Sequence, residues 1–150
     1  MTTCVAVFNT RSVKGTVLFS NRKNGLHIEA EFTQLPKGKH GFHIHKAGDL
    51  RGEGCKLACD HYHKGEPSNH GGPPTSKKNQ QRHTGDLGNV EHLGKYTYNL
   101  HDVTVDDIIG RSVIVHADED DYGLGGKEDS LKTGHAGARI ACAVIGRVAC

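Results

Sequence analysis

Apolar and polar residues alternate along several short stretches of this chain, which is the pattern of a β-strand with one buried face. The clearest stretches run from Leu26 to Phe32 and from Lys95 to Leu100. Other short β-rich stretches are Cys4 to Phe8, Val13 to Phe19, Gly41 to His45, Ser112 to His116 and Ile140 to Val148. Turn-forming residues separate them, as at Asn24-Gly25. With no convincing helical period, the pattern predicts seven or eight strands in a sandwich or flattened barrel.

Two long stretches interrupt the strands. Residues 46 to 85 and residues 117 to 138 are polar and rich in glycine. Loops of this length are uncommon in compact domains unless they are functional or disordered. The first holds candidate metal ligands, and the second holds the acidic run Asp118 to Asp121 and the charged stretch Lys127 to Lys132. Metal ligation would order the first loop, because the free energy of binding offsets the lost conformational entropy.

Composition and charge limit the possible classes of protein. The chain has 150 residues, a size that fits one domain, residues 1 to 150, with a buried core. Its formal net charge of +2 comes from mixed signs with no basic stripe, so no nucleic-acid partner is expected. No apolar run approaches the length of a membrane span, and residues Met1 to Val7 lack the features of a secretory signal. We therefore expect a cytoplasmic protein without a membrane partner.

Three histidines on predicted strands form a candidate metal site. His43 and His45 lie two residues apart, so their side chains project from the same face of the strand. His116 ends another predicted strand and would supply a third imidazole if the two strands are neighbours in the sheet. An all-imidazole site held on rigid strands is suited to copper.

The first long loop carries a second set of metal donors. His70, His83 and Asp86 combine imidazole nitrogen with carboxylate oxygen, and three histidines with one aspartate make a good tetrahedral zinc site. One imidazole shared between the two sets would complete two neighbouring sites. His61 and His63, in the same loop, are both candidates for that shared ligand.

Four segments, spread in order along the chain, resemble the copper/zinc superoxide dismutase family. They are Gly41 to His45, His70 to Pro73, Gly85 to Asn89 and Gly134 to Cys142. Several linked motifs in the same order are far more specific than any one of them. The resemblance implies an all-β fold, a Greek-key immunoglobulin-like β-sandwich or flattened eight-stranded barrel with two long functional loops.

The resemblance implies one copper and one zinc ion in each subunit. Copper would be bound by His43, His45, His61 and His116, and zinc by His61, His70, His83 and Asp86. His61 would bridge the two metals, because the spacing from Cys55 to His61 and the following Tyr62 fit the family pattern better than His63 does. Asp120 matches the aspartate that joins a copper ligand to a zinc ligand through their free ring nitrogens.

The implied reaction is the dismutation of two superoxide radicals to dioxygen and hydrogen peroxide by alternate reduction and reoxidation of copper. Arg139 matches the cation that docks superoxide, and His61 would deliver a proton. The residues that match the channel are Glu128, Asp129, Lys132 and Thr133. The alternative is a copper-binding or copper-delivery module on the same fold without turnover. Such modules generally lose copper ligands or the arginine, so the complete set here favours the enzyme.

The resemblance further implies a disulfide and two partners. Cys55 and Cys142 occupy the positions of the family's intrasubunit disulfide, an exception to the reduced state of most cytosolic thiols. The segment Ile108 to Arg111 resembles one near the family's dimer contact, so a homodimer is implied. A copper chaperone is a further expected partner.

The chain also departs from the family pattern. The spacing from His70 to His83 is several residues longer than in the family, so residues 73 to 82 enlarge the zinc loop in a way the sequence does not resolve. Cys59 is unusual in this loop and could pair with Cys55 or bind metal. Cys150 is expected to be an exposed free thiol.

Overall fold

The computed structural model describes residues 3 to 149, which form two antiparallel sheets packed face to face. The strands are β1 (Thr3–Asn9), β2 (Lys14–Arg22), β3 (Gly25–Gln34), β4 (His40–His45), β5 (Asp86–Val90), β6 (Gly94–His101), β7 (Ser112–His116), β8 (Arg139–Val144) and β9 (Gly146–Arg147). One sheet has the order β6-β3-β2-β1-β9 and the other the order β5-β4-β7-β8. The predicted all-β sandwich is therefore confirmed.

Aromatic side chains from both sheets meet in the core. Phe8 of β1 and Phe32 of β3 lie 5.9 Å apart between ring centroids, and Phe42 of β4 lies edge-on to Phe32 at 5.6 Å. Alternate residues of β1 and β2 are buried, as the hydrophobic pattern predicts. By contrast, all six residues of β4 and all five of β7 are buried. The second face of these two strands lies under the long loops, and three of the candidate ligands, His43, His45 and His116, lie on these strands.

Strand β5 and the two short helices were not predicted. The sequence of β5, Asp-Leu-Gly-Asn-Val, shows no clean alternation, although the strand pairs with β4. The helices α1 (Val105–Ile108) and α2 (Ser130–Thr133) have four residues each, too few to produce a helical period. None of the helices in the described part of the chain is long and apolar enough to cross a membrane.

The predicted strand from Ile140 to Val148 is divided in the structure. Strand β8 ends at Val144, and β9 begins at Gly146 in the other sheet. Ile145 lies between them, where its N–H donates to Arg111 O at 2.9 Å and its carbonyl accepts from Gly110 N–H at 2.8 Å. The chain therefore changes sheets at Ile145, a change that the continuous apolar pattern did not reveal.

A disulfide joins the first long loop to strand β8. The bond between Cys55 and Cys142 confirms the predicted pairing. Cys55 directly precedes a 3₁₀ turn (Lys56–Ala58), and Cys59 follows the turn as an exposed free thiol. Cys4 is a buried free thiol in the core, and Cys150 lies outside the described residues.

Replacing Cys142 with serine should lower the free energy of unfolding. The disulfide closes a loop between residues 87 positions apart. In the chain-entropy description, a loop of this size stabilises the folded state by at most roughly 4–5 kcal/mol. Urea unfolding followed by circular dichroism would measure the loss. The control is Cys59→Ser, which removes a free thiol from the same loop, and equal unfolding midpoints for the two variants would contradict the prediction.

Candidate metal centre

Two groups of metal-binding side chains lie side by side under the long loops. The first group consists of His43, His45, His61 and His116, and the second of His61, His70, His83 and Asp86. Within each group, one donor atom from every residue lies within 4.8 Å of the others. His61 belongs to both groups, whereas His63 belongs to neither.

Strand pairing brings the first group together. His43 and His45 of β4 pair with Ile114 and Ser112 of β7, and His116 is the last residue of β7. The two strands are thus neighbours, which meets the condition for a third imidazole from β7. His61 forms an isolated antiparallel β-bridge with His45, where the first long loop runs alongside β4. Three of these four histidines are therefore held by strands and the fourth by a strand-like contact.

Each imidazole of the first group has one ring nitrogen without a hydrogen-bond partner. Among the described residues, these buried atoms are His43 Nδ1, His45 Nε2, His61 Nε2 and His116 Nε2. The other ring nitrogens of two of them donate to backbone carbonyls, His45 Nδ1 to Cys59 O at 2.8 Å and His116 Nδ1 to Gly137 O at 3.1 Å. Buried polar atoms normally have partners. Four neighbouring exceptions, all acceptor nitrogens, fit a bound metal cation.

The second group surrounds the carboxylate of Asp86. Its Oδ1 accepts from His61 Nδ1 at 2.9 Å and from His70 Nδ1 at 3.0 Å, while Oδ2 lies 3.3 Å from His83 Nδ1. The backbone N–H groups of Gly71 and His83 also donate to Oδ2, at 3.0 and 2.7 Å. Three imidazole nitrogens thus converge on one carboxylate, a donor set that fits zinc.

Asp120 joins the two groups. Its Oδ2 accepts from His43 Nε2 at 2.6 Å, and its Oδ1 accepts from His70 Nε2 at 2.7 Å. The Tyr122 N–H donates to the same Oδ1 at 2.8 Å. The carboxylate holds the Nε2 atoms of both rings, and so leaves their Nδ1 atoms directed to the two candidate sites. The structure therefore places Asp120 between the groups, where the sequence resemblance expected it.

Burial sets the charge of the first group. Burial and the neighbouring imidazoles lower the pKa of His43 and of His45 well below the usual histidine value. Burial lowers the pKa of His116 to about 4. These rings are therefore neutral near pH 7, the state in which imidazole binds a metal.

The second group has the opposite electrostatics. Burial alone would raise the pKa of Asp86, but the adjoining imidazoles of His61, His70 and His83 outweigh it and hold this pKa far below its usual range. Burial likewise disfavours a charged His70, yet hydrogen bonds to Asp120 and Asp86 raise its pKa to about 9. Without metal, His70 is thus the cation that compensates the buried carboxylates.

A cavity of about 720 Å³ leads to the first group. His45, His61 and His116 of the first group line it. The predicted channel residues Asp129, Lys132 and Thr133 also line it, as does Arg139, the predicted docking cation. Glu128 is exposed but is not among the lining residues. The cavity therefore brings together most of the predicted substrate channel.

The sequence analysis missed several lining residues, including the titratable side chains Lys46, Asp60 and His63. Lys46 directly follows His45, so its position after a predicted ligand was an available signal. His63 was considered only as a ligand, and in the structure its Nδ1 accepts from the Thr84 N–H at 3.0 Å. No local pattern identified Asp60.

Comparison with known proteins gives concordant results. A family model described as copper/zinc superoxide dismutase matches residues 13–145. The Cu-Zn superoxide dismutase of Paramecium bursaria Chlorella virus 1 is 47% identical over 142 residues, which are 89% of this chain and 73% of that protein. The extracellular Cu-Zn superoxide dismutase of Drosophila melanogaster is 45% identical over 146 residues, covering 89% of this chain and 76% of that one.

A further relative and a solved structure extend the comparison. The Cu-Zn superoxide dismutase A of Xenopus laevis is 42% identical over 141 residues, which cover 89% of both chains. Among solved structures, the clock protein EA4 superposes with a TM-score of 0.86 at 38% identity, covering 97% of this chain and 94% of that chain. The similarity thus extends over nearly the whole fold.

The metal-free, disulfide-intact protein should be most stable near pH 6.5. The folded-state pKa of His116 is about 4, so between pH 6.5 and pH 4 the unfolded chain binds more protons than the folded chain. The free energy of unfolding therefore falls as the pH drops through this range, by roughly 3 kcal/mol from this residue. His70, with its pKa raised to about 9, stabilises the folded state below pH 6.5, and this contribution is lost as the pH rises toward 9. Urea unfolding at fixed pH values would measure both limbs.

Two variants separate the limbs of this profile. His116→Gln should reduce the slope of the acid limb, to which His43 and His45 also contribute, whereas His70→Gln should flatten the alkaline limb. A stability that stays constant from pH 6.5 to 4 in the unsubstituted protein would contradict the prediction.

Proposed function

Because the chain belongs to the copper/zinc superoxide dismutase family and is an oxidoreductase that converts superoxide to dioxygen and hydrogen peroxide, we propose that its two groups of donors hold the two metals. Copper would be held by His43, His45, His61 and His116, and zinc by His61, His70, His83 and Asp86. The set of four unpartnered, buried ring nitrogens in the first group carries this proposal.

The protein prepares the copper site before any metal is bound. Copper, when present, supplies the one-electron chemistry that oxidises one superoxide and reduces another. Strands β4 and β7 fix the positions of the imidazoles, and the carbonyls of Cys59 and Gly137 hold two of them by their Nδ1 atoms. Asp120 holds His43 by Nε2. The free nitrogens are therefore preorganised, so little reorganisation accompanies binding.

His61 is the residue that we assign to both metals and to proton transfer. Its Nδ1 faces Asp86 in the zinc group, and its Nε2 has no partner among the described residues. The ring also lines the cavity. Nε2 is thus the atom that can take up a proton and pass it to the reduced substrate. His63 is a weaker candidate for this role because it belongs to neither group of donors.

Arg139 is the residue that we assign to substrate docking. Its side chain is half-buried, and Nη1 donates to Cys55 O at 2.8 Å, which anchors the guanidinium at the cavity wall. The remaining N–H groups are fixed donors beside the cavity, suited to a small anion. With Arg139 the cavity lining carries three cations, the others being Lys46 and Lys132, against the two anions Asp60 and Asp129. The lining therefore has a net positive charge, which favours an anion such as superoxide.

Replacing Arg139 with alanine should lower kcat/KM while copper stays bound. The proposed contact of the arginine is with the anion, and its hydrogen bond goes to Cys55 O and not to a copper donor, so we expect a fall of roughly 10- to 100-fold in kcat/KM at near-stoichiometric copper. Steady-state or pulse-radiolysis kinetics and metal analysis of the same sample would measure the two quantities. Arg139→Lys, which keeps the charge, should retain part of the activity, and His45→Ala should lose copper.

The two readouts also discriminate between functions. Loss of copper in the Arg139→Ala variant would show that the arginine is structural. A protein that binds both metals without metal-dependent turnover would be a copper-delivery module. The complete first group of donors and the arginine in the cavity disfavour that alternative.

We also propose that the chain forms a homodimer through the outer face of β1 and β2. Val7 and Leu18 are 57% and 45% exposed there, and Val148, 40% exposed, lies beside the start of β1 through its bond to Thr3 O. The predicted contact segment from Ile108 to Arg111 adjoins this face through Ile145, which precedes β9. These backbone hydrogen bonds of Ile145 place the predicted segment next to β9, at the edge of the sheet beside β1.

The double variant Val7→Glu/Val148→Glu should be monomeric at concentrations at which the unsubstituted protein is dimeric. Two like charges buried across a symmetric contact would be left unpaired on both partners. Sedimentation velocity would measure the change. The control is Leu93→Glu, a leucine that is 62% exposed in the turn between β5 and β6. A monomeric unsubstituted protein, or a dimer that survives the double substitution, would contradict the proposed interface.

The organisation and location of the protein complete the proposal. A single domain is supported by the one core that both sheets share. A cytoplasmic location and copper delivery by a chaperone stay predictions. A disulfide is more usual in oxidising compartments, and one relative is named as an extracellular enzyme.

A further inference from the structure

The enlarged part of the first loop folds back onto the residues that follow His70. The Gly72 N–H donates to Asn79 O at 3.0 Å. A Cβ atom at Gly71 would lie 2.0 Å from Gln81 O, and one at Gly72 would lie 2.6 Å from Lys78 O. The inserted residues thus pack so closely on this pair of glycines that no larger residue fits. The inserted residues therefore pack against the backbone beside the second group of donors and do not simply extend into solvent.

Asn79 connects this insertion to the second long loop. Its side-chain Nδ2 donates to Tyr122 O at 2.7 Å and to His70 O at 3.3 Å. Both partners are carbonyl oxygens, so they take the two hydrogens of one amide group. Asn79 has a φ of 50°, in the left-handed region that asparagine tolerates better than most residues. The side chain therefore spans the gap between the two loops at the point where they meet.

The loops approach each other closely at this point. Gly123 has a φ of 78°, and a Cβ atom there would lie 2.4 Å from His70 O and 2.8 Å from Asn79 Nδ2. The His70 N–H donates to Leu131 O at 2.8 Å. Both backbone polar groups of His70 are thus held, the N–H by the second loop and the carbonyl by Asn79. This fixes the backbone from which the imidazole extends.

The contacts of Asn79 complete a ring of hydrogen bonds beside the second group of donors. Asn79 binds the carbonyls of His70 and Tyr122, His70 donates to Asp120, and Asp120 accepts from the Tyr122 N–H. We propose that Asn79 is a positioning residue for the zinc site, acting through His70 and Asp120. The inference rests on the proposed assignment of zinc to His70. The proposal gives the inserted residues a role at the zinc site of this chain.

The test replaces the amide of Asn79 and of its neighbour Gln80 in the same ways. Asn79→Gly removes both donors and keeps the positive φ, and Asn79→Asp keeps the shape but replaces the donors with a carboxylate. Gln80→Gly and Gln80→Glu are matched controls because Gln80 is exposed in the same loop. All four variants are compared as full chains with the disulfide intact and both metals loaded.

Two readouts report directly on the metal site. The first is the rate of zinc release to a chelator, which we expect to rise at least about 10-fold in both Asn79 variants, the usual size of an effect from groups that orient metal ligands. The second is the visible absorption of Co²⁺ substituted for zinc, which should shift because His70 is no longer held. Both Gln80 variants should match the unsubstituted protein in both readouts.

Other outcomes would overturn the proposal. Unchanged zinc release and Co²⁺ absorption in the Asn79 variants, even with a lower melting temperature, would reduce Asn79 to a loop-stabilising residue. Equal effects of the Asn79 and Gln80 variants would attribute the change to general loosening of the loop. A separate experiment tests the assignment of zinc to His70. A His70→Ala variant that holds zinc as tightly as the unsubstituted protein would contradict that assignment.

Discussion

The candidate metal centre depends on one constraint, which is that its polar, metal-binding atoms are buried close to one another. Four imidazole nitrogens lie unpartnered in the first group, and two carboxylates lie beside the second. Buried polar atoms destabilise a fold unless something compensates them. In the protein without metal, the positive charge of His70 compensates Asp86 and Asp120. Among the described residues, the four nitrogens of the first group have no hydrogen-bond partner, and as acceptors they are suited to a metal cation.

The disulfide contributes to the same centre by holding the wall of the cavity. Cys55, which it ties to β8, presents its carbonyl to Arg139. At the other end of the short 3₁₀ turn, the Cys59 carbonyl accepts from His45. One turn of chain therefore positions both Arg139, the proposed docking cation, and His45, a proposed copper ligand. A covalent bond at its start restricts the relative movement of the two.

The sequence alone predicted that the strand-borne ligands share a face, and it offered His70, His83 and Asp86 as donors. Only the resemblance selected His61 as the loop ligand common to both groups. A period of two fixes which side chains share a face, so His43 and His45 had to project together. The path of a loop has no period. The contact of Asn79 with Tyr122 joins residues 43 positions apart and depends on a positive φ, and neither feature leaves a local pattern. Strand β5 was missed for a similar reason, because Asp86 and Asn89 face the loops and interrupt the alternation.

The complete burial of β4 has a consequence for how this sequence can vary. A strand at the surface of a sandwich has one face toward solvent, where substitutions change little. All six positions of β4 are filled on both faces, by the core on one side and by ligands and loops on the other. Tolerance to substitution is therefore low on this strand, as it is on β7, which is also buried throughout. Substitutions between related chains can accumulate at solvent-exposed positions, such as Lys77 and Lys78 of the enlarged loop.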